Sequence, residues 1–183
     1  MNVLLRGVKK RKIDYVGFQE VIVQHAPHEH KRLKFKGINL DLKFEKILRT
    51  IDIILKNKKP VILHVELNDY EEDSKRVISQ LSELSTRHPE SNFLLIHMGQ
   101  VEFSEAKLIL EKIKNIHFMT PHADNETQNK ILNKDTNVKF QTGWINLFDK
   151  DNNLQKKWIN LMNENPLRFV VALDNVWDLQ WLE

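Results

Sequence analysis

The sequence predicts an α/β fold in which parallel strands alternate with helices, and three observations carry that expectation. Short apolar runs recur along the chain, separated by amphipathic segments of helical period. The runs are continuous rather than interleaved with polar residues, the pattern of strands covered on both faces, as in parallel sheets. Several strand–helix–strand units follow one another, and such units are joined by right-handed crossovers. Two architectures satisfy these observations: an open doubly wound sheet or a closed β/α barrel. No GxGxxG or GxxxxGKS/T follows any run, so the best signature of a nucleotide-binding open sheet is missing.

The elements follow in order. Tyr15–Val23 (YVGFQEVIV) is aromatic and β-branched and reads as a strand. Phe44–Lys56 reads as a helix, with Phe44, Ile47, Leu48, Ile51, Ile54 and Leu55 on one stripe. Pro60 interrupts the chain, and Val61–Val65 (VILHV) is a second strand. Ser74–Arg87 is helical through Val77, Ile78, Leu81 and Leu84. Pro89 and Asn92 precede a third strand, Phe93–His97 (FLLIH). Ser104 is expected to cap a helix running through Lys112, and Ile116–Met119 (IHFM) is a short fourth strand. Asn125–Leu132 and Leu154–Met162 read as helices. Pro166 and Arg168 lead into the fifth strand, Phe169–Leu173 (FVVAL).

Composition narrows the class. The 183 residues, 41% hydrophobic and 29% charged, suit one globular domain spanning 1–183 with a sizeable core. The formal charge of +3 is mild, and its one dense run, Lys9–Lys10–Arg11–Lys12, lacks the interleaved aromatics of a nucleic-acid surface and reads as a solvated end. There is no cysteine, which excludes disulfides and thiolate metal sites and fits a cytoplasmic setting. No apolar run approaches the roughly 20 residues that span a bilayer, and Met1–Val3 opens no signal peptide. Neither nucleic acid nor membrane is therefore the expected partner.

Three strand ends carry chemistry. His64 lies near the end of VILHV and is followed by Glu66. His97 closes FLLIH, before Met98 and Gly99. Asp174 closes FVVAL, before Asn175. In parallel β/α folds the C-terminal strand ends face the ligand, so these side chains are expected at one mouth. Two imidazoles and a carboxylate suit a Zn²⁺-like ion, which activates a bound water at neutral pH. Each residue taken alone also fits a packing, turn or capping role. Recurrence on three strand ends favours the site.

The runs PVILHVE, RHPESNFLLIHMG and NPLRFVVALDNVW together resemble the later part of the amidohydrolase superfamily, in its amidohydrolase-related branch. The resemblance spans about Tyr15 to Trp177. It implies a (β/α)₈ TIM barrel of which this chain supplies about five parallel strands, strands four to eight of the family. It implies a metal-dependent hydrolase acting on a small-molecule substrate. His64 is then the strand-five metal ligand, His97 the strand-six metal ligand or acid/base, and Asp174 the strand-eight residue that binds metal and accepts the water proton. The cofactor implied is a divalent metal, zinc above all. The sequence departs from the family pattern in several places. No HxH pair lies on a first strand, and no lysine on strand four offers itself for carbamylation. Met98–Gly99–Gln100 stands where HxGG continues, and Asp174–Asn175–Val176 where Asp–x–Pro does. His28–Glu29–His30 matches HxH as text but is read as a substrate-side loop. The competing expectation is a non-catalytic remnant, or one piece of a split hydrolase without the HxH pair. On either, an incomplete barrel is expected to self-associate or to take a partner chain that supplies the missing strands. His117 and His122 flank the short fourth strand; His122 and Asp124 could approach the mouth but are read as packing or solvated positions, and Trp144, Trp158, Trp177 and Trp181 as core or rim.

Overall fold

A computed structural model of the chain describes residues 20–25, 28–30, 33–35, 37–67, 74–120, 147–149, 151 and 153–172. The expectations placed on Asn125–Leu132, Asp174, His122, Asp124, Trp144, Trp177 and Trp181 lie outside these residues.

Five strands form one sheet: β1 (Val21–Ile22), β6 (Val61–His64), β7 (Phe93–Leu95), β8 (Ile116–Met119) and β9 (Phe169–Val170), side by side in that order and all parallel. Between β1 and β6 the chain makes two small antiparallel ribbons. One pairs β2 (Gln24–His25) with β5 (Ile38–Asn39), and the other pairs β3 (His28–His30) with β4 (Leu33–Phe35). The His28–His30 segment is thus a hairpin strand, not the loop that its polar composition suggests. The helices are α1 (Glu45–Lys56) before β6, α2 (Ser74–Arg87) before β7, α3 (Phe103–Lys112) before β8 and α4 (Lys156–Glu164) before β9. The α/β alternation with a parallel sheet is as the sequence predicts. Within the described residues the strand order never reverses, so the sheet has no topological switch point of the doubly wound kind. Right-handed crossovers in one direction put every connecting helix on the same face.

Burial along the strands records that one-sidedness. Val61, Leu63, Phe93, Leu95, Ile116 and Phe118 are fully buried, and they form one core with Ile51, Leu81 and Ile109 from α1, α2 and α3. The register places Leu63 beside Leu95 and Phe93 beside Ile116, so these residues share a face. Ile62, Leu94, His117 and Met119, on the opposite face, are only partly buried. The apolar runs therefore do not mean two equally covered faces here. One face packs under helices; the other is apolar but half open.

Local chemistry explains the element ends. In α1, Ile47, Ile51 and Ile54 recur at helical spacing and are buried. Helix α3 begins two residues before the expected start, with Glu102 rather than Ser104 at its N-cap. The Glu105 carboxylate accepts the Glu102 amide at 2.9 Å, so the first turn supplies its own acceptor. Trp158 of α4 is buried and meets the Phe103 ring edge-on at 5.1 Å, the core role expected of it. Strand β7 stops at Leu95, two residues early, because the chain there enters a tight turn. His97, Met98, Gly99 and Gln100 all have positive φ, at 53°, 57°, 62° and 47°. Among the described residues no helix is long and apolar enough to cross a membrane.

Candidate metal centre

The C-terminal ends of three neighbouring strands bring His25, His64, Glu66 and His97 together, and Glu20 reaches them from the start of β1. His64 ends β6, and Glu66 follows two residues later on the same side of the extended chain. Glu20 directly precedes β1, whose Ile22 is level with His64. His25 arrives by another route. The chain bends at Val23, whose amide donates to the His64 carbonyl at 3.0 Å while its carbonyl accepts from the Leu40 amide at 2.8 Å. The β2–β5 pairing then fixes His25 opposite Ile38. His97 enters from the turn after β7.

His64 is the hub. It is almost wholly buried, its Nδ1 lies 3.0 Å from Glu20 Oε2, and its Nε2 lies 2.9 Å from Glu66 Oε1. Both neighbours are carboxylates, so both ring nitrogens must carry a proton to donate, and the ring is an imidazolium. Burial alone pushes its pKa down. The hydrogen bonds and charges of Glu20 and Glu66 together outweigh that effect and raise it from 6.5 to about 9. His25 stacks on His64 with ring centroids 4.6 Å apart, and its Nδ1 lies 3.7 Å from Glu66 Oε2. His97 meets His64 edge-on, with centroids 5.1 Å apart.

One nitrogen each from His25 and His64 and one oxygen of Glu66 all lie within 4.8 Å of one another, and this group can hold a metal ion. Two imidazoles and a carboxylate are a donor set suited to zinc and to similar borderline ions. Of the three site residues read from the sequence, His64 belongs to this group and His97 lies against it. Asp174 is outside the described residues. His25, Glu66 and Glu20 went unrecognised as site residues. The signal for Glu66 and Glu20 was present: each sits two residues from a position on the open face of its strand, so strand periodicity directs it to the same mouth as His64. His25 carried no such signal, because a bend and a ribbon deliver it, not the strand itself.

His117 is away from this group, between Leu167 O at 3.0 Å and Asn92 Oδ1 at 3.1 Å, and burial lowers its pKa. Its two hydrogen bonds hold it between Leu167 and Asn92, apart from the His64 group. No protein-family model matches the chain, no curated protein does, and no solved structure does.

Proposed function

We propose that this chain is a cytoplasmic metal-dependent hydrolase of the amidohydrolase type, built on part of a TIM barrel and acting on a small-molecule substrate. One observation carries the reading: His64, Glu66, His25 and His97 converge at the C-terminal edge of a parallel sheet wound in one direction. In β/α barrels that edge holds the catalytic groups. The half-open face bearing Ile62 and Leu94 corresponds to a barrel interior, and His64 stands at its mouth.

In this reading His25, His64 and Glu66 hold the cation, and a zinc-like ion supplies Lewis acidity and an activated water. His64 has to give up its Nε2 proton to serve as a ligand. The remaining Nδ1–H then donates a hydrogen bond to Glu20, which fixes the tautomer and the ring plane, the usual carboxylate support of a ligating histidine. His97 abuts His64 and is placed to hold or pass a proton at the rim, and Asp174, at the end of the FVVAL run two strands further on, is its carboxylate counterpart by resemblance. Self-association, or a partner chain completing the barrel wall, belongs to the same proposal.

A second reading has its own support. Both nitrogens of His64 already have carboxylate partners, which is how a buried structural ion triad looks. Zinc titration by calorimetry separates the two. The hydrolase reading expects stoichiometric zinc binding that His64→Ala abolishes and that Glu20→Gln weakens by roughly 10–100-fold. Absence of zinc binding, or binding indifferent to His64→Ala, leaves the non-catalytic remnant.

A further inference from the structure

A cleft of about 440 Å³ lies at the other end of the sheet, where β6 and β7 begin, one strand length from His64. One wall is the end of α1 with the segment leading into β6, and it carries Lys58 and Lys59. The other is the segment leading into β7, Glu90 to Asn92; Leu55 and Pro60 supply apolar lining. A cleft of this volume suits a small organic molecule. Lys58, Glu90 and Asn92 are exposed, so a solute reaches it directly from solvent. Hydrogen bonds fix both walls. Asn115 Nδ2 donates to the Ser91 carbonyl at 2.6 Å and to the His88 carbonyl at 2.9 Å, and the Val61 amide donates to the Asn92 carbonyl at 3.0 Å. At the end of α1 the Ile53 carbonyl accepts from Asn57 Nδ2 at 2.7 Å, the Ile54 carbonyl from the Asn57 amide at 3.0 Å and the Leu55 carbonyl from the Lys58 amide at 2.8 Å. These last carbonyls are thus capped, and the charge offered to the cleft is that of the lysines. The groups lining the cleft are uncommitted by contrast: the Lys58 ammonium, the Glu90 carboxylate and the Ser91 hydroxyl have no partner among the described residues. Lys58 also has a φ of +55°, a helix-end conformation that glycine adopts with less strain. A lysine at that position gives up stability and places a charge at the cleft.

We infer that this cleft is a second ligand site, and that it takes a phosphate monoester of a small polyol. The class follows from the lining. Two ammonium groups on one wall match the charge of about −2 on a phosphate monoester, and each offers donors only. Glu90, on the facing wall, accepts only and repels a bare anion, so the part of the ligand that meets it must donate. Hydroxyl groups do so, and the Ser91 hydroxyl both donates to and accepts from them. Leu55 and Pro60 meet the carbon chain between the two ends. An inorganic anion leaves Glu90 facing it unpaired, and a neutral polyol leaves the lysines unmatched. The inference stands apart from the hydrolase reading, since no residue of the cleft belongs to the metal centre.

Glycerol 3-phosphate, inorganic phosphate and glycerol are the probes, each titrated into the full chain while backbone amide resonances are followed by NMR. Glycerol 3-phosphate is expected to bind saturably and to move the amides of Lys58, Ser91 and Asn92. Inorganic phosphate is expected to bind about tenfold more weakly, the worth of one good polar contact, and glycerol to leave the amides unmoved. Lys58→Gly is expected to weaken glycerol 3-phosphate by about tenfold while Tm holds or rises, because glycine suits the backbone there. Glu90→Gln is expected to tighten inorganic phosphate and to erase the preference for the ester, a change that a merely structural Glu90 would not produce. Absence of a saturable shift overturns the inference, as does binding undiminished in Lys58→Gly. Equal affinity for the ester and inorganic phosphate in the unsubstituted chain is charge attraction without recognition and overturns it too. Should Lys58→Gly destabilise the chain, Glu90→Gln decides alone: an unchanged preference for the ester overturns the inference.

Discussion

At the scale of single residues, His64 sets the behaviour of the site. Each of its two ring N–H groups donates to its own carboxylate, so the folded chain holds the imidazolium proton more tightly than the unfolded chain does. The folded pKa of about 9 lies above the unfolded 6.5. The stabilisation is therefore complete below pH 6.5, declines between the two values and is lost above pH 9. A shift of that size corresponds to about 3 kcal/mol. Thermal melts in metal-free buffer are expected to show Tm falling across this window, and to show the fall much reduced in His64→Gln. An equal fall in His64→Gln assigns the effect to other groups. The same proton opposes the cation, so zinc affinity is expected to rise with pH over the same interval, with a proton released for each ion bound. His64 and His97 could be read from the sequence because each ends an apolar run, and in a parallel sheet that is where side chains gather. Glu66 was within reach, one strand period beyond His64. His25 was not, since nothing in Gln24–His25 announces the bend at Val23 that turns it back toward the site.

At the scale of elements, the left-handed turn is the part of the structure with the least tolerance. Gly99 has a φ of +62°, and a Cβ added there would lie 3.1 Å from Leu95 Cδ1, inside the core. Gly99→Ala therefore meets both a conformational penalty and a contact that Leu95, fully buried, has little room to relieve. The expected loss is roughly 1–2 kcal/mol from the backbone alone, measured by denaturant unfolding. An unchanged midpoint implies that the turn rearranges, and the His64–His97 ring contact is then expected to be lost as well. Helices and strands of strong period were the legible elements. Ser74–Arg87 and Ile116–Met119 appear with the bounds the pattern gave them. The turn was not legible, because FLLIH continues the apolar run of its strand and a single glycine is a weak sign of four successive left-handed residues. The His28–His30 ribbon was hidden for the opposite reason: a polar, charged hairpin has no apolar period to detect.

At the scale of the whole molecule, the described sheet leaves one face half open and one edge unpaired. Its strands run in chain order, α1, α2 and α3 share one core with one set of strand side chains, and the other set includes half-buried Ile62, Leu94 and Met119. Exposed apolar side chains flank and enter β9: Leu167 before it is 86% exposed, Val171 after it 87% and Val170 within it 36%. Scattered apolar side chains on a surface need no explanation, but a cluster at the outer strand of a sheet is a template for pairing. Strand β9 is bonded on one side to β8, and no strand flanks its other side among the described residues. Self-association through this edge is therefore expected, in which a second copy covers Leu167 and Val171 and adds backbone hydrogen bonds to β9. Leu167→Lys combined with Val171→Lys puts charge on the edge, the device natural sheets use to stay apart. Both side chains are exposed, so the pair of substitutions is expected to leave stability within about 0.5 kcal/mol per site. Size-exclusion chromatography with light scattering is expected to give a concentration-dependent oligomer for the unsubstituted chain and a monomer for the double variant. A chain already monomeric at high concentration places the association elsewhere or removes it, and with it the proposal that a second copy completes the barrel wall.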